Sequence, residues 1–143
     1  MTPIRIILAD DHPIVRDGLS AVLLTQPDFT IAGEAGNGME VIQLIKEIAV
    51  DVLLLDLEMP EMDGVATLRE LNARALPVRT IVFTAFDTDD RIVEAVRAGA
   101  QGYLLKGAPR EELFNAIRVV HAGGTLLQPI IASRLMVRLN QPE

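Results

Sequence analysis

The stretch from Asp51 to Gly64 reads DVLLLDLEMPEMDG, and its character changes abruptly in the middle. Val52 to Leu55 form an unbroken apolar run of strand length, which suits a strand buried on both faces rather than one with a wet side. The run stops on Asp56 and is followed by Glu58, Met59-Pro60, Glu61 and Asp63. A hydrophobic strand thus delivers a carboxylate to its end, and its surroundings must give that acid a use.

Outward from this stretch the chain alternates. The apolar, β-branched runs IRIILA (4–9), FTIAGEA (29–35), TIVFT (80–84) and GYLL (102–105) read as further strands, making five with VLLL (52–55). Between and after them, apolar residues recur at helical spacing. The groups are Ile14, Leu19, Val22 and Leu23; Val41, Ile42, Leu44, Ile45 and Ile48; and Val65, Leu68 and Leu71. Ile92, Val93 and Val96 follow, then Leu113, Phe114, Ile117 and Val120. Strict alternation of strand and helix implies right-handed crossovers and an α/β fold: a five-stranded parallel sheet with helices on both faces. In open sheets of this kind the site lies at the carboxyl ends of the strands.

Composition bounds the chemistry. A chain of 143 residues, half of them apolar, supports one core. It contains no cysteine, which removes disulfides, thiolate metal sites and cysteine nucleophiles and agrees with a cytoplasmic location. The apolar runs are far shorter than the roughly 20 residues of a membrane span, and MTPIRIILADD meets two acids before a signal-peptide core could form. The expectation is therefore no membrane partner and no export. The net charge is -7; residues 1–106 carry -8 and residues 107–143 carry +1. An acidic body repels phosphate backbones, so this chain by itself is a poor nucleic-acid binder.

The strand-end rule maps five polar residues to one edge: Asp10 and Asp11 after the first strand, Asp56 after the third, Thr84 at the end of the fourth and Lys106 after the fifth. Clustered carboxylates repel and are costly to bury unpaired, so a cation belongs among them. Lys106 supplies one charge, and a hard divalent ion such as Mg²⁺, which favours carboxylate, carbonyl and phosphate oxygens, would supply two. The set reads as a phosphoryl-transfer site with Asp56 as the nucleophile that forms an acyl phosphate, the cations offsetting charge on the transferred group. Thr84 would hydrogen-bond that group. Singly, each residue has a plainer reading: Asp11, ahead of His12-Pro13, suits helix capping as well as metal binding. Thr84 alone is a strand-end residue and Lys106 alone a surface lysine. Only the set at successive strand ends shifts the balance.

ILADDHPIVRDGL, DVLLLDLEMPEMDG, VFTAF and GAQGYLLKGAPREEL, in this order, closely resemble the receiver domain of bacterial response regulators, in particular the NarL/FixJ (LuxR-type) subfamily. The resemblance runs from residue 4 to about residue 125. It implies a flavodoxin-like fold with strand order 2-1-3-4-5. It also implies that Asp56 accepts a phosphoryl group from a sensor histidine kinase. Mg²⁺ would be held by Asp10, Asp11, Asp56 and the backbone carbonyl of Glu58, while Thr84 and Lys106 contact the phosphoryl group. Tyr103 matches the family's switch aromatic: Thr84 moves toward the phosphoryl group and the ring turns inward behind it. The plain reading of Tyr103 is a half-buried residue on an edge strand. Glu58 and Phe86 occupy positions where the family tunes dephosphorylation.

The resemblance is imperfect at Gly107, where many receivers have proline, though non-proline is usual in this subfamily. GEAGNG (33–38) has the wrong glycine order and the wrong strand for a dinucleotide-binding loop, and reads as turn glycines ahead of a helix. Met59, Pro60 and Met62 read as loop packing. His12 reads as a helix-start residue near the site mouth rather than a ligand, and His121 as a residue of the fifth helix's last turn before Gly123-Gly124.

The receiver is expected to span 1–124, with 125–143 forming a linker helix and tail. Ile131, Leu135 and Leu139 make one stripe of that helix, beside Arg134 and Arg138, suited to docking back on the receiver or pairing with another copy. In this subfamily such a linker leads to a DNA-binding helix-turn-helix, which these residues do not contain, so the expectation is a trimmed receiver or a stand-alone one. Phosphorylation is expected to favour a homodimer, through helix 4, strand 5 and helix 5, or through helices 1 and 5. Two other readings compete with the signalling module. One is a receiver scaffold that takes no phosphate. The other is a phosphohydrolase like the haloacid dehalogenases, which want a second Asp where this chain has Glu58.

Overall fold

The computed structural model describes residues 2–85 and 88–141. In chain order it consists of β1 (Ile4–Ala9), α1 (Pro13–Leu23), β2 (Phe29–Ala35), α2 (Gly38–Glu47), β3 (Val52–Leu55) and α3 (Gly64–Ala73). There follow β4 (Arg79–Thr84), α4 (Asp89–Arg97), β5 (Gly102–Leu105), α5 (Arg110–His121), β6 (Leu126–Leu127) and α6 (Pro129–Leu139). The strands make one sheet in the order β2-β1-β3-β4-β5-β6, and each adjacent pair is parallel. Helices lie on both faces, as the continuous apolarity of VLLL requires: all four of its residues are buried.

Alternate residues of the strands feed two cores. Ile7, Leu53, Leu55, Val82 and Tyr103 face the layer of α2, α3, α4 and α6, whereas Ile6, Leu8, Leu54, Ile81 and Leu104 face α1 and α5. The register decides where the site falls. Ala9 is level with Leu55 and Leu55 with Val82, so Asp10 and Asp56 emerge side by side, while Thr84 is level with Leu105.

Among the described residues the expected five strands are six. Leu126 and Leu127 pair with Gly102 and Tyr103 and extend the sheet beyond β5. Two residues are too few for any periodicity to betray a strand. What turns the chain is the end of α5, where Gly123, at φ 98, lies in the left-handed region. Gly123 N–H donates to Val120 and Gly124 N–H to Val119, the paired bonds of a Schellman turn. Consequently β5 is an interior strand, and the last helix begins at Pro129 rather than near residue 125.

Two apolar stripes also need correction. Ile14, placed on the buried face of the first helix, is 86% exposed, because α1 buries its far end, at Leu23, instead. In α6, Ile131 is buried and Leu135 packs on the core, but Leu139 is exposed. Of GEAGNG, Gly33 to Ala35 belong to β2 and only Gly36 and Asn37 turn the chain into α2, whose N-cap Asn37 accepts the Glu40 N–H at 2.9 Å. Met59 is buried and Met62 packs beside it. Among the described residues no helix is long and apolar enough to cross a membrane.

Candidate phosphoryl-transfer site

Asp56 leaves β3 with its backbone N–H bonded to the Ala9 carbonyl and its side chain 6% exposed. The loop beyond it folds back sharply, with Gly64 N–H donating to the Leu57 carbonyl at 2.9 Å. A Cβ at Gly64 would stand 2.6 Å from the Asp56 carbonyl oxygen and 2.7 Å from Leu57 Cα. This close approach accounts for the glycine that ends the MDG segment, and it holds the Asp56 backbone against the start of α3.

Both Asp56 oxygens are engaged. Thr84 Oγ1 donates to Oδ1 at 2.8 Å, and Lys106 Nζ donates to Oδ2 at 3.0 Å. Lys106 Nζ also donates to Asp10 Oδ2 at 2.5 Å, so one ammonium spans the two buried acids. Burial works against the charged form of Asp10. The Lys106 hydrogen bond and the His12 backbone N–H outweigh it, and its carboxyl sits below the ordinary carboxylate value. Lys106 is likewise opposed by burial, but Asp10 and Asp56 hold its pKa above the ordinary lysine value.

Asp11 behaves differently. It does not cap α1: the N-cap is His12, with no side-chain hydrogen bond to the helix. The reason is local, since α1 starts at Pro13 with His12 as its N-cap, which leaves Asp11 one residue outside the capping position, and Pro13 has no N–H to offer. Asp11 Oδ1 is buried and accepts no hydrogen bond among the described residues. His12 Nδ1 lies 2.9 Å from it, which is an ion pair only when the ring is protonated. Donor atoms of Asp10, Asp11 and His12 all fall within 4.8 Å of one another, so the structure brings His12 closer to the acids than its sequence position suggested.

The structure therefore brings together Asp10, Asp56, Thr84 and Lys106 by direct contact and sets Asp11 beside them. The Glu58 side chain instead turns outward, 61% exposed, with Arg91 Nη2 3.4 Å from its carboxylate. Tyr103 is fully buried rather than half-buried, and β5 is not an edge. Because Val82 pairs with Tyr103 and Thr84 with Leu105, Thr84 and Tyr103 are diagonal neighbours on one sheet face. Phe86 lies outside the described residues. Sequence reasoning missed Arg16, whose Nη1 donates to the Asp10 carbonyl and whose Nε meets Glu34 at 3.1 Å. The available signal was its place one helical turn past His12-Pro13, which aims a long side chain back at the loop.

An all-parallel, doubly covered sheet with its acids at the β1 and β3 ends belongs to the flavodoxin-like class, in which that crevice is the binding edge. Comparison with known proteins narrows the class. Residues 6–118 match the response regulator receiver domain, and the chain belongs to that family. It is 38% identical over 133 residues to the transcriptional regulatory protein YxjL of Bacillus subtilis, an alignment covering 93% of this chain and 61% of the relative. It is 39% identical over 137 residues to the nitrate/nitrite response regulator NarL of Escherichia coli K12, covering 93% of this chain and 63% of the relative. This chain thus spans about three-fifths of the length of these relatives. The crystal structure of a LuxR-family two-component response regulator from Aurantimonas superposes with a TM-score of 0.91 at 30% identity, covering 98% of this chain and all of that one.

Proposed function

We propose that this chain is a phosphorylation-controlled signalling module in which Asp56 accepts a phosphoryl group from a sensor histidine kinase. The observation that carries the reading is the engagement of Asp56, with a buried threonine hydroxyl on one oxygen and a lysine ammonium on the other. A carboxylate oxygen of Asp56 forms a bond to phosphorus as the bond from phosphorus to the donor's imidazole breaks, and the electron pair leaves on the imidazole nitrogen. Lys106, already held by Asp10, stays within reach of the negative charge brought in. Thr84 keeps a hydroxyl aimed at the same carboxylate, to be passed to a phosphoryl oxygen.

The donor set also fits Mg²⁺. The Lys106 ammonium spans Asp10 and Asp56, Asp11 adds a third carboxylate close to Asp10, and a buried Asp11 oxygen has no hydrogen bond among the described residues. Asp10, Asp11, Asp56 and the Glu58 carbonyl would hold the ion, which when bound neutralises charge on the transferred group. A hydrolase reading needs an acid poised over Asp56; Glu58, exposed beside Arg91, does not meet that need. A scaffold that takes no phosphate leaves the buried acid–lysine–threonine contacts without a purpose.

In the full-length protein the module would control transcription, with DNA bound only by a part beyond this chain. It would act in the cytoplasm without a membrane partner and pair with a second copy once phosphorylated. The test is intact mass after incubation with acetyl phosphate and Mg²⁺. Wild type gains one phosphoryl group, whereas Asp56→Asn and a chelator-treated sample gain none. A gain that survives in Asp56→Asn removes Asp56 as acceptor.

A further inference from the structure

The C-terminal segment makes contacts that the chemistry at Asp56 leaves unused. Gln128, between β6 and α6, is fastened to the strand that carries Tyr103: its N–H donates to the Tyr103 carbonyl at 3.1 Å, and its Oε1 accepts the Leu105 N–H at 2.9 Å. Ile131 is then fully buried in the cluster that contains Tyr103, Val82, Ile92 and Ala95, with Leu135 packed against it. Further along α6, Arg138 Nη2 meets Asp90 Oδ1 in the first turn of α4 at 3.0 Å. On the site side, Thr84 neighbours Tyr103 on the same face and donates to Asp56. Ile131 and Tyr103 thus share one buried cluster, Tyr103 and Thr84 share one sheet face, and Thr84 donates to Asp56, so α6 and the carboxylate border the same packed layer.

We propose that β6 and α6 form a strap whose docking on α4 and β5 is coupled to the state of Asp56, with Tyr103 as the shared packing element. This rests on the reading of Asp56 as the phosphoryl acceptor. With the ring buried, Ile131 has an apolar surface to bury against and Thr84 stands on Asp56. A ring that leaves this cluster removes the surface on which Ile131 is buried and takes the backing from behind Thr84. Close-packed cores do not deform smoothly, so the two arrangements are alternatives. Coupling between sites is reciprocal: a group on Asp56 that draws in the Thr84 hydroxyl tightens α6, and loosening α6 weakens the hold on that group. The strap also covers the outer edge of β5 and part of α4, so a partner reaching that face meets α6 first.

The experiment is hydrogen exchange on the full chain, read by mass so that phosphorylated and unphosphorylated molecules are separated, with acetyl phosphate and Mg²⁺ as the probe. The expected result is that amides of 131–139 exchange at least about fivefold more slowly in phosphorylated molecules. Thr84→Ala molecules that gain the phosphoryl group show no such slowing. In the reverse direction, Ile131→Ala speeds exchange in α6 and lowers the fraction phosphorylated. Arg138→Ala, a surface change, does the same to a smaller degree and serves if Ile131→Ala does not fold. Phosphorylated wild type with unchanged exchange in α6 overturns the strap and leaves the acceptor reading standing. Absence of any mass gain overturns both, and the mass itself distinguishes the two failures.

Discussion

Two helices of this molecule start just after an aspartate, and the two aspartates do opposite things. Asp63 caps α3: its carboxylate accepts the Ala66 N–H at 2.9 Å, and its carbonyl accepts the Thr67 N–H and hydroxyl. Asp11, ahead of α1, does not cap it, and one of its oxygens is buried without a hydrogen bond among the described residues. A side-chain cap is worth about 1 kcal/mol, so α1 forgoes a stabilisation that α3 enjoys. Proline at the first position of α1 and its buried far end hold that helix instead. On the reading proposed above, Asp11 is left out of local duty so that its carboxylate is available to a bound cation. The capped acid is there for the fold alone.

Paired substitutions would break this contrast or sharpen it. Asp11→Asn should reduce phosphoryl gain from acetyl phosphate and Mg²⁺ by at least about tenfold, the loss typical even of an outer partner of a metal ligand, and removing the metal from wild type should match it. Its unfolding free energy from urea titration should stay within about 0.5 kcal/mol of wild type. Asp63→Ala should do the reverse, losing about 1 kcal/mol, or about 4 °C in Tm, with phosphoryl gain retained. If Asp11→Asn unfolds as readily as Asp63→Ala and still takes the group, Asp11 is structural and the contrast collapses.

Much of this was legible because the signals were long or stood at strand ends. VLLL could be read as doubly buried from its continuity, and the strand-end rule then placed Asp10, Asp56, Thr84 and Lys106 together. The duty of Asp11 stayed open because capping and metal binding call for the same residue type in the same place. The structure answers only the first of these, since His12 and not Asp11 is the N-cap of α1. β6 was not legible, since two leucines after a turn have no period. The exposure of Ile14 was hidden for a related reason: helical spacing gives a face but not how far along that face the neighbouring elements reach.

At the other extreme from Asp11 stands Asp28, both of whose oxygens are held by Arg118, at 2.9 Å each. The guanidinium also lies 4.8 Å from the centre of the Phe29 ring. The Arg118 hydrogen bonds hold the Asp28 carboxyl below its ordinary value, and Asp28 in turn raises Arg118. Since the arginine is 41% exposed, water and salt screen the pair, and about 1 kcal/mol is the appropriate scale. A carboxyl depressed in the folded state stabilises above its unfolded pKa, about 3.9, and ceases to do so as pH falls through the folded value. Asp28→Asn should therefore lose about 1 kcal/mol at pH 7, with the gap from wild type narrowing as pH drops below about 4. An Asp11→Asn gap with the same pH dependence would show that Asp11 is paired after all.

The smallest expected effect lies at the opposite ends of the helices. α3, α4 and α5 all finish in the same pair of backbone bonds, Ala75 to Asn72 with Leu76 to Leu71, Gly99 to Val96 with Ala100 to Ala95, and Gly123 to Val120 with Gly124 to Val119. The turning residue has positive φ in each: 51 at Ala75, 108 at Gly99 and 98 at Gly123. Two of the three ends thus carry glycine, and α3 carries an alanine whose Cβ crowds the following carbonyl at a cost of roughly 1–2 kcal/mol. Glycine there would relieve that strain but give the unfolded chain more freedom, worth about 0.4–1 kcal/mol in the other direction. The difference favours glycine, so Ala75→Gly should raise the unfolding free energy by about 0.5 kcal/mol, and with it the urea midpoint, and leave phosphoryl gain unchanged. A lowered midpoint would mean that the alanine sits in its left-handed turn without strain, and that α3, capped by Asp63 at its start, is already well closed at both ends.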